Sequence, residues 1–230
     1  MRIAEVYASL QGEGLLAGTP STFVRTSGCN LRCVWCDTPF TSWDPQGVDR
    51  TAADVFAEVA ALAPRHVVVT GGEPLLSAEA AELCLTLRRA GFHVTVETAG
   101  TVLPAVPDPV ADLMSISPKL SSSAPAAGTP GGWRTRHDAT RRRDDVLVAL
   151  AAGPHQFKFV IDSRADLAEA RRWLADLGTV AAGNVFLMPQ GRDAGELART
   201  SAWLEAECRR CGFRFAPRHH IAWFGHTRGT

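Results

Sequence analysis

Lysine is almost missing from this chain of 230 residues: arginine carries nearly all the basic charge, and the only lysines are Lys119 and Lys158. Net charge is missing too, with 24 basic against 24 acidic residues, so nothing marks a nucleic-acid or membrane surface as the main partner. No apolar run reaches the roughly eighteen residues that a membrane-spanning helix requires. No signal peptide is visible, and with this composition the expectation is a soluble cytoplasmic enzyme. The chain is long enough to bury a full core as one α/β domain over 1–230, and its length does not force a second. Scarcity also makes each lysine a candidate for a specific role.

What is present is a crowded set of cysteines. Cys29, Cys33 and Cys36 lie in Gly28-Cys29-Asn30-Leu31-Arg32-Cys33-Val34-Trp35-Cys36-Asp37-Thr38. Three thiolates on one short loop can hold three corners of a four-iron four-sulfur cluster and leave the fourth iron open to a substrate or cofactor. A zinc site would want four ligands in CxxC pairs, and no His-x-x-x-His cluster follows. A disulfide framework suits neither the chain length nor three cysteines within eight positions. The remaining cysteines, Cys84, Cys208 and Cys211, fall in helical patterns and are expected as buried thiols, with a second metal or redox pair at Cys208-x-x-Cys211 as the alternative.

Short β-branched runs alternate with helical patterns along the chain. Phe23–Arg25, His66–Thr70, His93–Glu97, Leu113–Ser117, Phe157–Ile161 and Val185–Met188 read as strands. Thr51 with Asp54 caps a helix through Leu62, and Ser77 opens one that stops near Gly91. Further helices fit Asp144–Ala152, Asp166–Leu177 and Ala194–Cys211. Strands alternating with helices predict a parallel sheet with helices outside, and about six such units make an incomplete TIM-like barrel whose site lies at the strand C-termini. The stretch 120–143, rich in Ser, Gly and Pro and ending in Arg141-Arg142-Arg143, predicts a loop or insertion, with a lid as the alternative.

A second motif, Thr70-Gly71-Gly72-Glu73-Pro74, follows a predicted strand some forty residues beyond the cysteines. Alone it could be a tight turn. Together with the cysteine spacing it resembles the radical S-adenosylmethionine (SAM) superfamily, in which SAM chelates the open iron. Ser9-Leu10-Gln11-Gly12-Glu13-Gly14, Phe23-Val24-Arg25, Cys36-Asp37-Thr38 and Ser117-Pro118-Lys119 narrow the likeness to the 7-carboxy-7-deazaguanine synthase family. The second half matches mainly in pattern, through Phe157–Val160 and Leu187–Gln190.

The resemblance implies a 4Fe–4S cluster on Cys29, Cys33 and Cys36, and SAM contacts from Trp35, Asp37, Gly72, Glu73, Ser117, Pro118 and Lys119. It implies magnesium at Thr38 and substrate contacts from Leu10, Gln11, Gly12, Arg25 and Thr70. The chemistry suits these roles. The Gln11 amide both donates and accepts, as a lactam edge requires; Arg25 is a charged planar fork for a carboxylate; and magnesium needs few protein oxygens. Plainer readings stay open: a polar turn at Gln11, a surface ion pair at Arg25, a loop closure at Thr38 and a capping turn at Ser117–Lys119.

The implied reaction is the conversion of 6-carboxy-5,6,7,8-tetrahydropterin to 7-carboxy-7-deazaguanine with loss of ammonia, in queuosine or other 7-deazapurine biosynthesis. Implied partners are a flavodoxin-like electron donor and a second copy in a homodimer. The alternatives are a glycyl-radical enzyme activase, which shares the cysteine loop, and a non-catalytic iron–sulfur or zinc protein. The histidines are weak signals: His93 and His137 are expected to be structural or exposed, and at His219-His220 and the stretch 225–230 a pocket wall or a dimer contact is only the alternative to a structural role.

Overall fold

The computed structural model describes every residue except Thr179, His226 and Thr230, so part of the C-terminal stretch read as a pocket wall lies outside the described residues. The strands are β1 (Arg2–Leu10), β2 (Pro20–Thr26), β3 (Val48–Asp49), β4 (His66–Gly71), β5 (His93–Thr98), β6 (Leu113–Ile116), β7 (His155–Ile161), β8 (Val185–Pro189) and β9 (Arg214–Phe215). The helices are α1 (Pro39–Ser42), α2 (Ala52–Ala61), α3 (Ala78–Arg89), α4 (Trp133–Thr140), α5 (Asp144–Leu150), α6 (Arg164–Leu177), α7 (Ala194–Cys211) and α8 (His219–Phe224).

Local chemistry sets many of these limits. Reciprocal capping boxes open α2 at Thr51 and Asp54 and α6 at Ser163 and Asp166, each satisfying two amides that a helix start leaves bare. Gly178 and Gly212 end α6 and α7 in the left-handed region, where a side chain would be strained.

The strands form one sheet in the order β3-β1-β2-β4-β5-β6-β7-β8-β9. From β2 onward neighbours are parallel, while β1 runs antiparallel to both β2 and β3. The sheet curls strongly. Lys158 on β7 reaches Glu13, just beyond β1, at 2.9 Å, although five strand spacings of about 4.8 Å would separate them on a flat sheet. It does not close, because the two-residue strands β3 and β9 remain as edges. This is the expected incomplete barrel.

Alternation assigns the two faces. Val67, Val69, Val94, Val96, Phe157 and Phe159 pack with Val55, Leu83, Leu87, Trp173 and Leu204 of the outer helices. The opposite face is polar, with Ser21 bonded to His66, His66 to Thr95, and Gln156 to Ser115. Burying so many polar groups requires that they pair with one another, which they do.

The stretch 120–143, expected as a loop or insertion, carries helical structure. Three-residue helical turns occupy Ser121–Ser123 and Pro130–Gly132, and α4 fills Trp133–Thr140. Its pattern shows little amphipathicity because the helix buries chiefly one residue, His137, and that residue is polar.

Candidate active site at the barrel mouth

The cysteine loop leaves the C-terminal end of β2 and is stitched to the end of β4. Gly72 N donates to Thr26 O (3.1 Å), Glu73 N to Gly28 O (2.9 Å) and Gly28 N to Thr41 O (2.8 Å). This stitch explains the glycine pair. Gly71 sits at φ +129°, and a Cβ on Gly72 would collide with the Gly28 carbonyl oxygen and press on that of Thr41. Gly72→Ala is therefore expected to destabilise the protein by about 1–3 kcal/mol, as overpacking does. A lower denaturant midpoint at unchanged slope would show it.

Cys29, Cys33 and Cys36 are free and half-buried. Burial pushes the Cys29 thiol up to about 11 and Cys33 up to about 12; bound iron would displace those protons. Among the described residues no three His, Cys, Asp or Glu side chains converge on one ion. Three separate thiols fit a polynuclear cluster, in which each iron takes its own cysteine. Side chains also cap the carbonyls of all three: Arg32 Nη1 donates to Cys29 O (2.8 Å), Trp43 Nε1 to Cys33 O (2.9 Å) and Arg192 Nη2 to Cys36 O (3.4 Å).

Several expected SAM contacts are already engaged within the protein. Glu73, 2% exposed, accepts from Thr98 Oγ1 and Leu75 N on Oε1 and from Ala99 N on Oε2. Burial raises its pKa against those bonds. Its carboxylate ties the turn after β4 to the end of β5. Lys119 Nζ donates to both the carbonyl and the hydroxyl of Ser117, each at 2.8 Å, so this pair braces the end of β6 around Pro118. Trp35 is half-buried in the cysteine loop.

The substrate motif belongs to a denser network. Gln11, 5% exposed, donates through Nε2 to Glu97 Oε1 (3.2 Å) and accepts from Glu13 N on Oε1. Thr70 Oγ1 donates to Glu97 Oε2 (2.9 Å), and Lys158 Nζ bridges Glu97 and Glu13 (3.2 and 2.9 Å). Arg218 carries the chain onward to Glu13 (3.4 Å) and to Asp37 Oδ2 (2.5 Å), with Nη1 on Gly191 O. An unbroken set of polar contacts thus links Gln11 to the residue that follows Cys36. Burial works against ionising Glu13, but Lys158 and Arg218 outweigh it and hold its pKa well below the carboxylate range. At Glu97 burial is likewise outweighed, here by Lys158. Lys158 itself, despite burial, is held charged by Glu13 and Glu97.

The structure brings Gln11, Thr70 and Asp37 into this network and places Gly12 against His220. Leu10 lies at the rim, partly exposed. Arg25 is held on two sides: Nε pairs with Glu5 (2.6 Å) and Nη2 with Tyr7 Oη (2.7 Å), while Nη1 makes no hydrogen bond among the described residues. Thr38 Oγ1 accepts from Thr41 (3.1 Å) and lies 4.0 Å from the Cys36 sulfur. Asp37 Oδ1 is buried and has no hydrogen-bond partner among the described residues, which suits an incoming donor or cation. Sequence reasoning did not assign Glu13, Glu97, Lys158 or Arg218 to the site. Two signals were available: the rarity of lysine, and a glutamate opposite Val94 and Val96 in the alternation of β5.

The family model of the Radical SAM superfamily matches residues 23–145, the stretch that carries both motifs. A 7-carboxy-7-deazaguanine synthase of Rhodopirellula baltica is 44% identical over 230 residues, covering 99% of this chain and 88% of its own. The chain belongs to the 7-carboxy-7-deazaguanine synthase family of radical SAM enzymes. A second member, from Halobacterium salinarum, is also 44% identical, covering 96% of this chain and 89% of its own length. The crystal structure of QueE from Escherichia coli shares the fold, with a TM-score of 0.69 at 24% identity over 95% of this chain and 94% of that one. SuiB of Streptococcus suis in complex with its precursor peptide gives a TM-score of 0.57 at 12% identity over 87% of this chain and 49% of that one. Membership in this family sets aside the glycyl-radical activase and the non-catalytic alternatives, and the family carries a 4Fe–4S cluster and SAM. Among the described residues no helix is long and apolar enough to cross a membrane.

Proposed function

We propose that this chain converts 6-carboxy-5,6,7,8-tetrahydropterin to 7-carboxy-7-deazaguanine and ammonia, with Cys29, Cys33 and Cys36 holding the cluster. The observation that carries the reading is the polar chain from Gln11 through Glu97, Lys158, Glu13 and Arg218 to Asp37, which joins the N-terminal Gln11 motif to the cysteine loop. When bound, the cluster and SAM supply the electron and the hydrogen-abstracting radical; the protein's part is to bind, orient and exclude water.

An aminopyrimidinone ring presents adjacent N–H donors, and an ionised carboxylate is the acceptor that reads them in pairs. Lys158 keeps Glu13 and Glu97 in that ionised form. The amide of Gln11, fixed at both ends, addresses the lactam. Arg25 offers Nη1 to the substrate carboxylate while Glu5 and Tyr7 set the plane of its fork. Thr38 would hold a magnesium ion, which would supply positive charge to that carboxylate, and Asp37, whose Oδ1 has no partner among the described residues, would add negative charge beside it. Ser117, Lys119 and the backbone at Gly72 and Glu73 shape the SAM side of the mouth, with Trp35 on the loop beside them. A flavodoxin-like donor reaches the loop from its outer side, where Val34 and Trp43 are exposed. A homodimer is the expected assembly, and sedimentation would measure it.

The test is an anaerobic assay with reconstituted protein, dithionite, SAM, magnesium and the tetrahydropterin, reading product by mass spectrometry. Product in excess over SAM is expected. Reductive SAM cleavage without product would remove the pterin assignment, and no cleavage from an intact cluster would remove the whole reading.

A further inference from the structure

The segment 120–143 grips the cysteine loop from behind at the two amides that flank Cys33. Arg32 N donates to His137 Nδ1 (3.2 Å), and Val34 N donates to Ser123 O (3.0 Å). His137 Nε2 lies 2.9 Å from Ser123 Oγ, which in turn donates to Leu120 O (2.6 Å). These contacts fix the proton positions. Nδ1 must accept, because an amide donates to it; the neutral ring then carries its hydrogen on Nε2 and gives it to Ser123 Oγ, which itself lies within hydrogen-bonding reach of Leu120 O and the Cys33 thiol. The guanidinium of Arg32 stacks over Trp133, with Cζ 3.9 Å from the ring centre, so α4 holds the same residue at both ends.

We propose that His137 is the positioning residue of the cysteine loop: as the neutral Nε2–H tautomer it orders the Arg32 amide, and through it Cys33, for cluster assembly. The residue is 0% exposed, and an imidazole without these contacts would be a buried polar group of the kind proteins avoid. Nothing in the substrate network touches it. The role rests on the assignment of Cys33 to the cluster, but the ordering of the loop can be tested without the cluster.

Asparagine and glutamine separate the two ring nitrogens, because Asn Oδ1 falls near the position of Nδ1 and the Gln terminus near that of Nε2. In the full-length apo-protein, amide exchange at Arg32, followed by NMR, is expected to stay near the native rate in H137N. In H137Q it should accelerate on the order of tenfold, the equivalent of one lost hydrogen bond, while the amides of β4 and β5 stay unchanged. After reconstitution, H137Q should bind several-fold less iron and sulfide than H137N and show a broadened cluster EPR signal. Equal protection at Arg32 in both variants, or equal loss in both, would overturn the proposal. If the native chain assembles no cluster, the cysteine assignment falls, and the apo-protein exchange still decides the role of His137.

Discussion

Lys158→Met is expected to cost about 3–5 kcal/mol at neutral pH, because it strips the buried shared cation from two half-buried carboxylates and leaves Glu97 without a charged partner. Methionine preserves most of the length and volume, so the loss is electrostatic and not a cavity. The pH dependence identifies it. In the native protein Glu13 and Glu97 titrate below their ordinary 4.5 and Lys158 above its ordinary 10.5. Their contribution is therefore present between those values, lost as pH falls through the folded carboxylate pKa values and lost again as pH rises through that of the lysine. In the variant, burial at Glu97 is no longer offset and drives its pKa upward. A group raised in the folded state stabilises below its unfolded pKa and loses that contribution as pH rises. The gap between the two proteins should thus be widest near pH 7 and narrow toward pH 4. Denaturant midpoints across that range would measure it; a gap that does not change with pH would mean that Lys158 acts only by packing.

The residues of this network show where reading the sequence stops. The helices α2, α3, α5, α6 and α7 and six parallel strands were legible because capping boxes and β-branched runs are local: Thr51 with Asp54, Ser77 before α3, Val67 to Val69. β1 was not, since it is an antiparallel edge-side strand with a half-polar pattern, and β3 and β9 are two residues each. The cysteine loop, Gly71-Gly72 and Gln11 were legible because each carries its chemistry within a few residues. Glu97 and Arg218 were not. Their partners lie far off in sequence, with Lys158 61 residues from Glu97 and Arg218 181 residues from Asp37, and only the curl of the sheet brings them together. His137 was hidden for the same reason, since its partner amide lies 105 residues earlier. Where the sequence pointed to Arg25 and Glu73 as ligand-facing charges, the fold supplies both with internal partners.

Replacing Cys33 with alanine should abolish activity and not merely reduce it. An iron without its thiolate leaves the cluster with too few protein ligands to survive, so iron and sulfide should fall to background and reductive cleavage of SAM should disappear with them. The same is expected for Cys29→Ala and Cys36→Ala. The remaining cysteines provide the control. Cys84 and Cys208 are buried in the hydrophobic core among the apolar side chains of the outer helices, where a free thiol behaves as a small hydrophobe. Cys211 lies at the end of α7 and is only half-buried. Cys211→Ser should therefore retain the iron, the sulfide and the cleavage of SAM. Parallel metal analysis and SAM-cleavage assays on the two variants would decide between the sites. Iron lost from Cys211→Ser but kept in Cys33→Ala would move the cluster from the barrel mouth to α7, where neither Gln11, Glu97 nor Arg25 could present a substrate to it.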